Sequence, residues 1–358
     1  MSTAVILGAG FSRYAGLPTQ SEFFDLLLHP ELSQNPLQKC ITAVLEEFLG
    51  DAFGWAAGAP LPSLEEFFTC VDLSANSGHH LGIKYTPKLL RAIRRMTMHR
   101  VLQILDRRTQ ASPMIDGFLK ILQEKQPGFV VLNWDIVLER GLQDLGSSPI
   151  NYGFDCFDWH TGQPSTALRD GTLVGKINGS SNWAYCDNCA SMFYDLDRKL
   201  ALHDMVGLVK ADFRLFDESI TDKHFDEALG VDPRQRACRF CNNMISTHMA
   251  TFSFTKSYRT FAYPAIWHSA RRLLSQASEW IFVGYSMPDA DYEFKHLLKA
   301  SQLALGRRKA HAPAAIHVVT GPDGRAERRF RGFFGKLVTA FYQGLEAFIE
   351  RWQLESRL

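Results

Sequence analysis

The stretch AVILGAGFSRYAGLPT, residues 4–19, decides the fold of this chain. Its apolar residues 4–7 run into Gly8-Ala9-Gly10, a pattern typical of a buried strand that enters a glycine turn. Glycines let backbone amides approach a phosphate without a Cβ clash, and the end of the following helix adds a positive dipole. The full GxGxxG pattern fails because Arg13 stands at its last position. The turn alone therefore leaves a simple tight turn and a phosphate-binding loop equally open.

Four later apolar segments end in the same way, in small or polar residues. They are residues 129–132 before Asn133-Trp134-Asp135, 173–177 before Asn178-Gly179-Ser180, 279–283 before Gly284-Tyr285-Ser286, and 315–319 before Thr320-Gly321. In open parallel sheets, ligands bind outside the carboxyl ends of the strands. We therefore predict an α/β fold with a Rossmann-like parallel sheet and a ligand site at these strand ends. Taken singly, Asn133 and Asp135 would be ordinary turn formers.

Two CxxC pairs, Cys186 with Cys189 and Cys238 with Cys241, lie far apart in the chain. Paired thiolates at this spacing are typical of one tetrahedral zinc site. A redox site needs a single CxxC, so the second pair favours a metal. Four protein ligands leave no open position for water, and we therefore predict a structural Zn²⁺ ion that takes no part in catalysis.

The chain is long enough for one large domain with insertions or for two domains. Its 358 residues are 46% hydrophobic, enough for a sizeable core. Residues 19–110 show helical periodicity, and Thr19 with Glu22 and Ser63 with Glu66 have capping-box spacing. We predict a Rossmann-like domain from residues 1–18, 111–185 and 242–358, a helical subdomain at 19–110, and a zinc-binding insertion at 186–241. The aromatic stripe of residues 329–352 predicts one packing helix.

Charge and hydropathy exclude some classes of partner. Lys and Arg total 39 against 38 Asp and Glu, a formal charge of +1, so the chain lacks the cationic excess typical of nucleic-acid binding. The amino terminus has no basic leader, and no stretch reaches the roughly 18 apolar residues of a membrane span. We expect a cytoplasmic protein with no direct nucleic-acid binding and no membrane partner.

Four motifs resemble, in the same order, those of the sirtuin superfamily: residues 4–19, LNWD at 132–135, INGSSNW at 177–183 and VGYSMPDAD at 283–291. The CxxC pairs follow the third motif, as they do in sirtuins. The form is closer to bacterial sirtuin-like NAD hydrolases, which are often associated with anti-phage defence, than to protein deacylases. Deacylases usually carry Phe-Arg after the proline, where this chain has Thr19-Gln20. The resemblance implies an NAD-binding fold and cleavage of NAD to ADP-ribose and nicotinamide, with a role in antiviral defence.

The resemblance also implies the residues that bind NAD. They come from four strand ends and comprise Gly8, Ala9, Gly10 and Ser12 for the phosphates, Asn133 and Asp135 for the nicotinamide riboside, Gly284 and Ser286 for the adenosine half, Asp289 or Asp291 for its ribose hydroxyls, and Thr320 for the adenine edge. In the implied catalytic set, Asn133 positions the ribose and the attacking water. Asp135 accepts hydrogen bonds from the nicotinamide amide, and Asn178 holds a ribose hydroxyl.

The main departure from the family pattern is Asn178, which stands where sirtuins carry a histidine. An amide has no pKa suited to a general base, so deacylation should suffer most. Hydrolysis passes through an oxocarbenium-like state that water can trap, and it depends more on positioning. Two alternatives stay open: an NAD-dependent protein deacylase, and a non-catalytic sensor that binds NAD or ADP-ribose. A toxic hydrolase would be controlled by assembly into a homo-oligomer or by a separately encoded partner.

Overall fold

The computed structural model describes residues 2–29, 35–165, 171–197, 206–228, 237–249, 262–289, 291–306, 315–322 and 324–355. The strands are β1 (Thr3–Leu7), β2 (Gly128–Val131), β3 (Ile150–Asn151), β4 (Phe157–Asp158), β5 (Thr172–Lys176), β6 (Gly179–Tyr185), β7 (Met192–Tyr194), β8 (Ser246–Met249), β9 (Glu279–Val283), β10 (Ala315–Thr320) and β11 (Val338–Gln343). The helices are α1 (Ala9–Ser12), α2 (Gln20–Leu28), α3 (Pro36–Phe53), α4 (Leu64–Ser77), α5 (Pro87–Arg108), α6 (Pro113–Leu122), α7 (Val137–Asp144), α8 (Lys210–Phe213), α9 (Asp222–Ala228), α10 (Ala262–Gln276), α11 (Tyr292–Gly306), α12 (Arg325–Phe334) and α13 (Gly344–Glu355).

The chain divides into two compact units. The first comprises Met1–Leu17, Thr109–Ser180 and Tyr258–Leu358, and the second comprises Pro18–Arg108 and Ser181–Ser257. The predicted helical and zinc-binding segments thus fall mostly in one unit. Their assignment as separate subdomains, with the boundaries given above, stays a prediction.

The first unit contains a seven-stranded sheet in the order β11-β10-β9-β1-β2-β5-β3. Neighbouring strands in this sheet pair in parallel. The chain fills the sheet on one side of β1 with β2, β3 and β5, and then resumes on the other side with β9. The switch point of the topology, where such sheets bind ligands, therefore lies between β1 and β9. The predicted α/β class with a parallel sheet is confirmed.

Five of the strands lie where the apolar segments predicted them: β1, β2, β5, β9 and β10. Strands covered by helices on both faces of a parallel sheet are apolar throughout, and such runs are visible in a sequence. All five residues of β1 are buried, and so are the last four of β9. Helix α10 contacts β2 and β5, whereas α13 contacts β10 and packs on α6. Phe118 of α6 contacts Phe348 of α13, with the ring centroids 5.8 Å apart.

The prediction of a single helix over residues 329–352 is wrong. Helix α12 ends at Phe334, because Gly335 adopts a positive φ of 58°. The next segment, VTAFYQ, is rich in β-branched and aromatic residues and forms β11, which pairs in parallel with β10. Helix α13 then resumes the helical pattern, with Phe348 buried. The aromatic stripe is therefore shared by two helices and an edge strand.

The second unit carries the predicted helical segment. Within the described part of residues 19–110, the regular elements are helices, and an isolated bridge joins Leu81 to Tyr85. The predicted capping boxes are confirmed; at α4, the Glu66 amide donates to Ser63 Oγ at 3.1 Å and the Ser63 amide donates to Glu66 Oε2 at 2.9 Å. None of the described helices is both long enough and apolar enough to cross a membrane.

A buried arginine connects three helices of this unit, α5, α2 and α3. Arg100 of α5 is 0% exposed and donates to the carbonyl oxygens of Leu27 and Gln38 at 2.5 and 2.6 Å. Burial lowers the pKa of Arg100 to about 10. Its cation lies at the carboxyl end of α2, where the helix dipole is negative, and this placement compensates part of the desolvation. Arg95 of the same helix forms an ion pair with the buried Asp212 of α8.

Two glycine loops, after β1 and after β9, depend on the absence of a side chain. A Cβ at Gly284, which has a φ of 64°, would lie 2.1 Å from the Phe11 nitrogen. We therefore expect Gly284→Ala to lower the free energy of unfolding by at least about 2 kcal/mol, from left-handed strain and overpacking against backbone that cannot yield. Urea unfolding followed by circular dichroism measures this.

The matched control is Gly332→Ala in α12, where a Cβ meets nothing within 4 Å. Alanine has the higher helix propensity, so this variant should be as stable as the wild type or more stable. Equal stability of the two variants would contradict the close approach of the two loops.

Candidate functional site

The loops that follow β1 and β9 contact each other at the switch point through backbone. The Gly8 amide donates to the Val283 carbonyl at 3.0 Å, and the Gly10 amide donates to the Gly284 carbonyl at 2.9 Å. A Cβ on Gly8 would lie 2.6 Å from Tyr285 Cα, and one on Gly10 would lie 2.8 Å from Gly284 Cα. These glycines are thus required by loop packing, and their amides are already paired. Ala9 begins α1, and the first amides of a helix have no acceptor within it.

A buried chain of polar side chains lies beside this contact. The Asn133 amide group donates to the Gly8 carbonyl at 2.9 Å and to Ser12 Oγ at 2.8 Å. Ser12 Oγ in turn donates to Asp135 Oδ2 at 2.7 Å. The three side chains are at most 8% exposed. The ends of β1 and β2 are therefore joined by one continuous hydrogen-bond chain.

These hydrogen bonds determine which atoms of Asn133 can contact a ligand. The Gly8 carbonyl can only accept, so the Asn133 Nδ2 atom must face it. Both hydrogens of that nitrogen are then used, by Gly8 and by Ser12. Asn133 can offer a ligand only its Oδ1 acceptor. Asp135 Oδ1 accepts from the Val137 amide at 3.1 Å, which fixes the carboxylate at the start of α7.

Asn178 joins the ends of β5 and β2. Its Nδ2 atom donates to the Leu132 carbonyl at 3.0 Å, and its backbone carbonyl accepts from the Trp134 indole at 3.1 Å. Asn178 is 4% exposed and Trp134 is buried. The residue in the histidine position of the family pattern is thus part of the framework between two strand ends. No described hydrogen bond links Asn178 directly to Asn133.

Lys176, the last residue of β5, escaped the sequence analysis. It is 0% exposed and pairs with the equally buried Glu139 of α7 at 3.0 Å. Its ammonium also donates to the Asp135 carbonyl. Burial raises the pKa of Glu139, and Lys176 opposes the rise. The available signal was a lysine within the apolar run TLVGKI, because a charge in a strand covered on both faces must have a specific partner.

The other residues that the sequence predicts to bind NAD follow β9 and β10. They take no part in the hydrogen bonds that join Asn133, Ser12 and Asp135. Ser286 is exposed, and its carbonyl accepts from Arg329 at 3.3 Å. Asp289 is exposed and lies 3.4 Å from the Lys295 ammonium. Asp291 accepts from the Tyr285 hydroxyl at 3.2 Å. Of the two carboxylates, Asp291 is held in place by the fold and Asp289 faces solvent. Thr320, the last residue of β10, is partly exposed at the same edge of the sheet.

The second unit brings the four predicted cysteines together. Their sulfur atoms lie within 4.8 Å of one another. Cys186 Sγ is 3.4 Å from Cys241 Sγ, and Cys189 Sγ is 3.6 Å from Cys238 Sγ. A tetrahedron with Zn–S bonds of about 2.3 Å has edges of about 3.8 Å, so the spacing fits one metal ion. The backbone amide of Asn243 lowers the pKa of Cys241 to about 6, whereas burial raises the pKa of Cys186 and raises that of Cys238 to about 12.

Comparisons with known proteins give structural similarity alone. No protein-family model and no curated protein matches this chain. The chain is similar to a Sir2 homologue mutant in complex with ADP-ribose, with 12% identity, a TM-score of 0.44, and 100% of this chain and 94% of that chain covered. It is similar to a Sir2 enzyme from work on mechanism and regulation, at 12% identity and a TM-score of 0.43, covering 99% and 93%. A sirtuin from work on substrate affinity gives 17% identity and a TM-score of 0.39, again covering 99% and 93%.

Proposed function

We propose that this protein is an NAD hydrolase that adds water across the nicotinamide–ribose bond and releases ADP-ribose, nicotinamide and a proton. The observation that carries the proposal is the buried chain Asn133–Ser12–Asp135 beside the switch point of a parallel sheet. Such a switch point is where open parallel sheets bind nucleotides. The four ordered sequence motifs that resemble sirtuins supply the identity of the nucleotide.

In this proposal Asn133 positions the ribose and the attacking water through its Oδ1 atom. With both amide hydrogens already donated, Asn133 can only accept a hydrogen bond from a ligand. It therefore orients an O–H group of ribose or of water so that the lone pairs of that hydroxyl or water oxygen point away from Asn133. A held water needs no strong base when the carbon it attacks has oxocarbenium character. Hydrolysis is therefore compatible with an amide-lined site.

Asp135 supplies the charge that this reaction needs. Its carboxylate accepts hydrogen bonds from the Ser12 hydroxyl and the Val137 amide, and among the described residues no ion pair involves it. A fixed carboxylate with little solvent around it stabilises the positive charge that develops on ribose as the bond breaks. Its remaining lone pairs would also accept hydrogen bonds from the nicotinamide amide. Asn178 would hold a ribose hydroxyl while it supports the strand ends.

The other half of NAD would follow the glycine loops toward β10. Because the Gly8 and Gly10 amides are paired with β9, the Ala9 amide and the Ser12 region would meet the phosphates. Gly284 and Ser286 would contact the adenosine half, with Thr320 at the adenine edge. Between the two candidate carboxylates for its ribose, the held Asp291 is the better placed. Antiviral defence and control by self-assembly or by a separate partner remain parts of the proposal that rest on the sequence resemblance.

The second candidate is a subunit that binds NAD or ADP-ribose without cleaving it. Asn178 favours it, because its amide is engaged with the Leu132 carbonyl and cannot act as a general base. A protein deacylase requires that base and is the weaker alternative. Binding without turnover would raise the melting temperature and give no product.

We further propose that the four cysteines hold a structural Zn²⁺ ion. Four thiolates complete its coordination and leave no position for substrate or water. The Phe240 amide donates to Cys238 Sγ at 3.4 Å, an outer contact that orients a metal ligand. Bound there, zinc would supply folding free energy to the second unit.

The hydrolase is tested by incubating the purified protein with NAD and separating the products by chromatography. We expect nicotinamide and ADP-ribose in equal amounts without any peptide. Asn133→Ala should lower the rate by about 100-fold, since it removes the group that positions water. The control is Gln143→Ala, an exposed amide on α7, which should keep the wild-type rate. Turnover that requires an acetyl-lysine peptide would contradict hydrolysis, and thermal stabilisation by NAD with no product would favour the binding subunit.

The metal is tested by elemental analysis of protein purified without chelators. We expect about one zinc ion per chain, and Cys238→Ser should lose most of it and lower the melting temperature, because zinc binding contributes directly to folding. Cys70→Ser, a cysteine of α4 outside the cluster, should keep the zinc. A wild-type protein free of metal, or equal zinc in both variants, would overturn the assignment.

A further inference from the structure

A fully buried ion pair lies directly behind the Asn133–Asp135 turn. Lys176 and Glu139 are both 0% exposed, and their charged atoms are 3.0 Å apart. Removing two charges from water is costly, and apolar pairs of similar volume are often at least as stable. Stability alone is therefore a weak reason for this pair. The contacts of the Lys176 ammonium with backbone carbonyl oxygens give a better reason for the pair.

The Lys176 ammonium has three hydrogens to donate and no acceptor. It donates to the Asp135 carbonyl, and the Trp134 carbonyl lies 3.5 Å from its nitrogen. A Glu139 carboxylate oxygen lies 3.0 Å from the same nitrogen as the counter-charge. Both carbonyls belong to the turn after β2. Buried carbonyls outside a sheet ladder need donors. Ser180 Oγ also donates to the Trp134 carbonyl at 3.5 Å, so the donor that an apolar side chain at position 176 would remove matters most at the Asp135 carbonyl.

The turn that Lys176 holds also carries the side chains of the proposed site. Asn133 and Asp135 meet Ser12 at 2.8 and 2.7 Å, so a shift of the turn by a fraction of an ångström would break both hydrogen bonds. The Asp135 carboxylate projects from the residue whose carbonyl the ammonium holds. Backbone position and side-chain geometry are therefore coupled.

We propose that the Lys176 ammonium is a positioning group that keeps the Asn133-Trp134-Asp135 turn in contact with Ser12, and that Glu139 is the buried counter-charge that keeps the ammonium there. Neither residue touches the substrate. The kinetic consequence rests on the proposed hydrolase function, whereas the structural consequence does not.

The experiment uses the double variant Lys176→Met/Glu139→Leu, which removes both charges and leaves neither unpaired. Three quantities are measured on the full chain: the urea midpoint, hydrogen exchange of the backbone amides of residues 133–137 by mass spectrometry, and the steady-state kinetics of NAD hydrolysis. We expect the midpoint to fall only modestly, because apolar volume replaces the pair and the remaining cost is the lost donor to the Asp135 carbonyl. The turn amides should exchange at least about tenfold faster, since the turn opens more often.

The kinetics separate positioning from a general loss of structure. We expect kcat to fall by about 100-fold with KM within about twofold of the wild type, because misplaced groups slow the chemical step more than they weaken binding. The matched control is Lys125→Met/Glu279→Leu, another Lys–Glu pair of the same unit at 2.9 Å, located at the amino end of β9. It should leave kcat and the exchange of residues 133–137 unchanged.

Wild-type exchange at residues 133–137 in the Lys176 double variant would overturn the proposal, as would a wild-type kcat. If the double variant is too unstable to measure, Lys176→Met/Glu139→Gln replaces it with the same expectations, because it also removes both charges and the donor at position 176. A wild-type protein that does not hydrolyse NAD would refute the proposed function, and the exchange data would then decide the positioning role alone.

Discussion

The structure of the candidate site depends on the approach of two backbone segments, one after β1 and one after β9. The first strand is the hub of the sheet, since it pairs with β2 on one side and with β9 on the other. Where the chain leaves β1, it meets the loop after β9 so closely that a Cβ on Gly8, Gly10 or Gly284 would overlap backbone atoms. Three glycines therefore set the position of Ser12, and through Ser12 the positions of the side chains that follow β2.

The close contact between the loops after β1 and β9 determines which polar groups of the site stay available to a ligand. Amides that a glycine turn is expected to offer to phosphate are donated instead to the Val283 and Gly284 carbonyls. Asn133 likewise donates both hydrogens to protein atoms. The site is thus rich in acceptors: an amide oxygen and a carboxylate that the fold has already oriented. A substrate with hydroxyl groups and a developing positive charge suits such a surface better than an anionic reacting centre does.

Much of the fold could be predicted because its strongest signals are local. A parallel strand buried on both faces is a continuous apolar run, and β1, β2, β5, β9 and β10 were all visible in this way. Strand β11 was missed because its aromatic residues share helical spacing with their neighbours, and only pairing with β10 decides between helix and strand. The two-residue strand β3 is too short to leave a pattern.

Within the candidate sites, too, local sequence patterns could predict some residues, whereas others depend on contacts between distant segments. The cysteines could be grouped from spacing alone, because the CxxC pattern fixes ligand geometry within each pair. The roles of Asn133, Asp135 and Asn178 were inferred from family resemblance and remain predictions. Lys176 could be seen as an anomaly in β5, yet its partner Glu139 is brought to it by α7, which no local pattern reveals.

The amide of Asn178 links the support of the fold to the class of reaction. It donates to the Leu132 carbonyl at the end of β2 and remains neutral at every pH, so the contact between β5 and β2 does not change as protons are taken up. A histidine there would titrate near neutrality. The same neutrality removes a base for activating a ribose hydroxyl. In the proposed hydrolase, the feasible reaction is one in which the carbon–nitrogen bond breaks largely before the nucleophile is deprotonated, so that a water molecule held by Asn133 would lose its proton late. Hydrolysis of a glycosidic bond to a good leaving group has this character, whereas acyl transfer to a ribose hydroxyl does not.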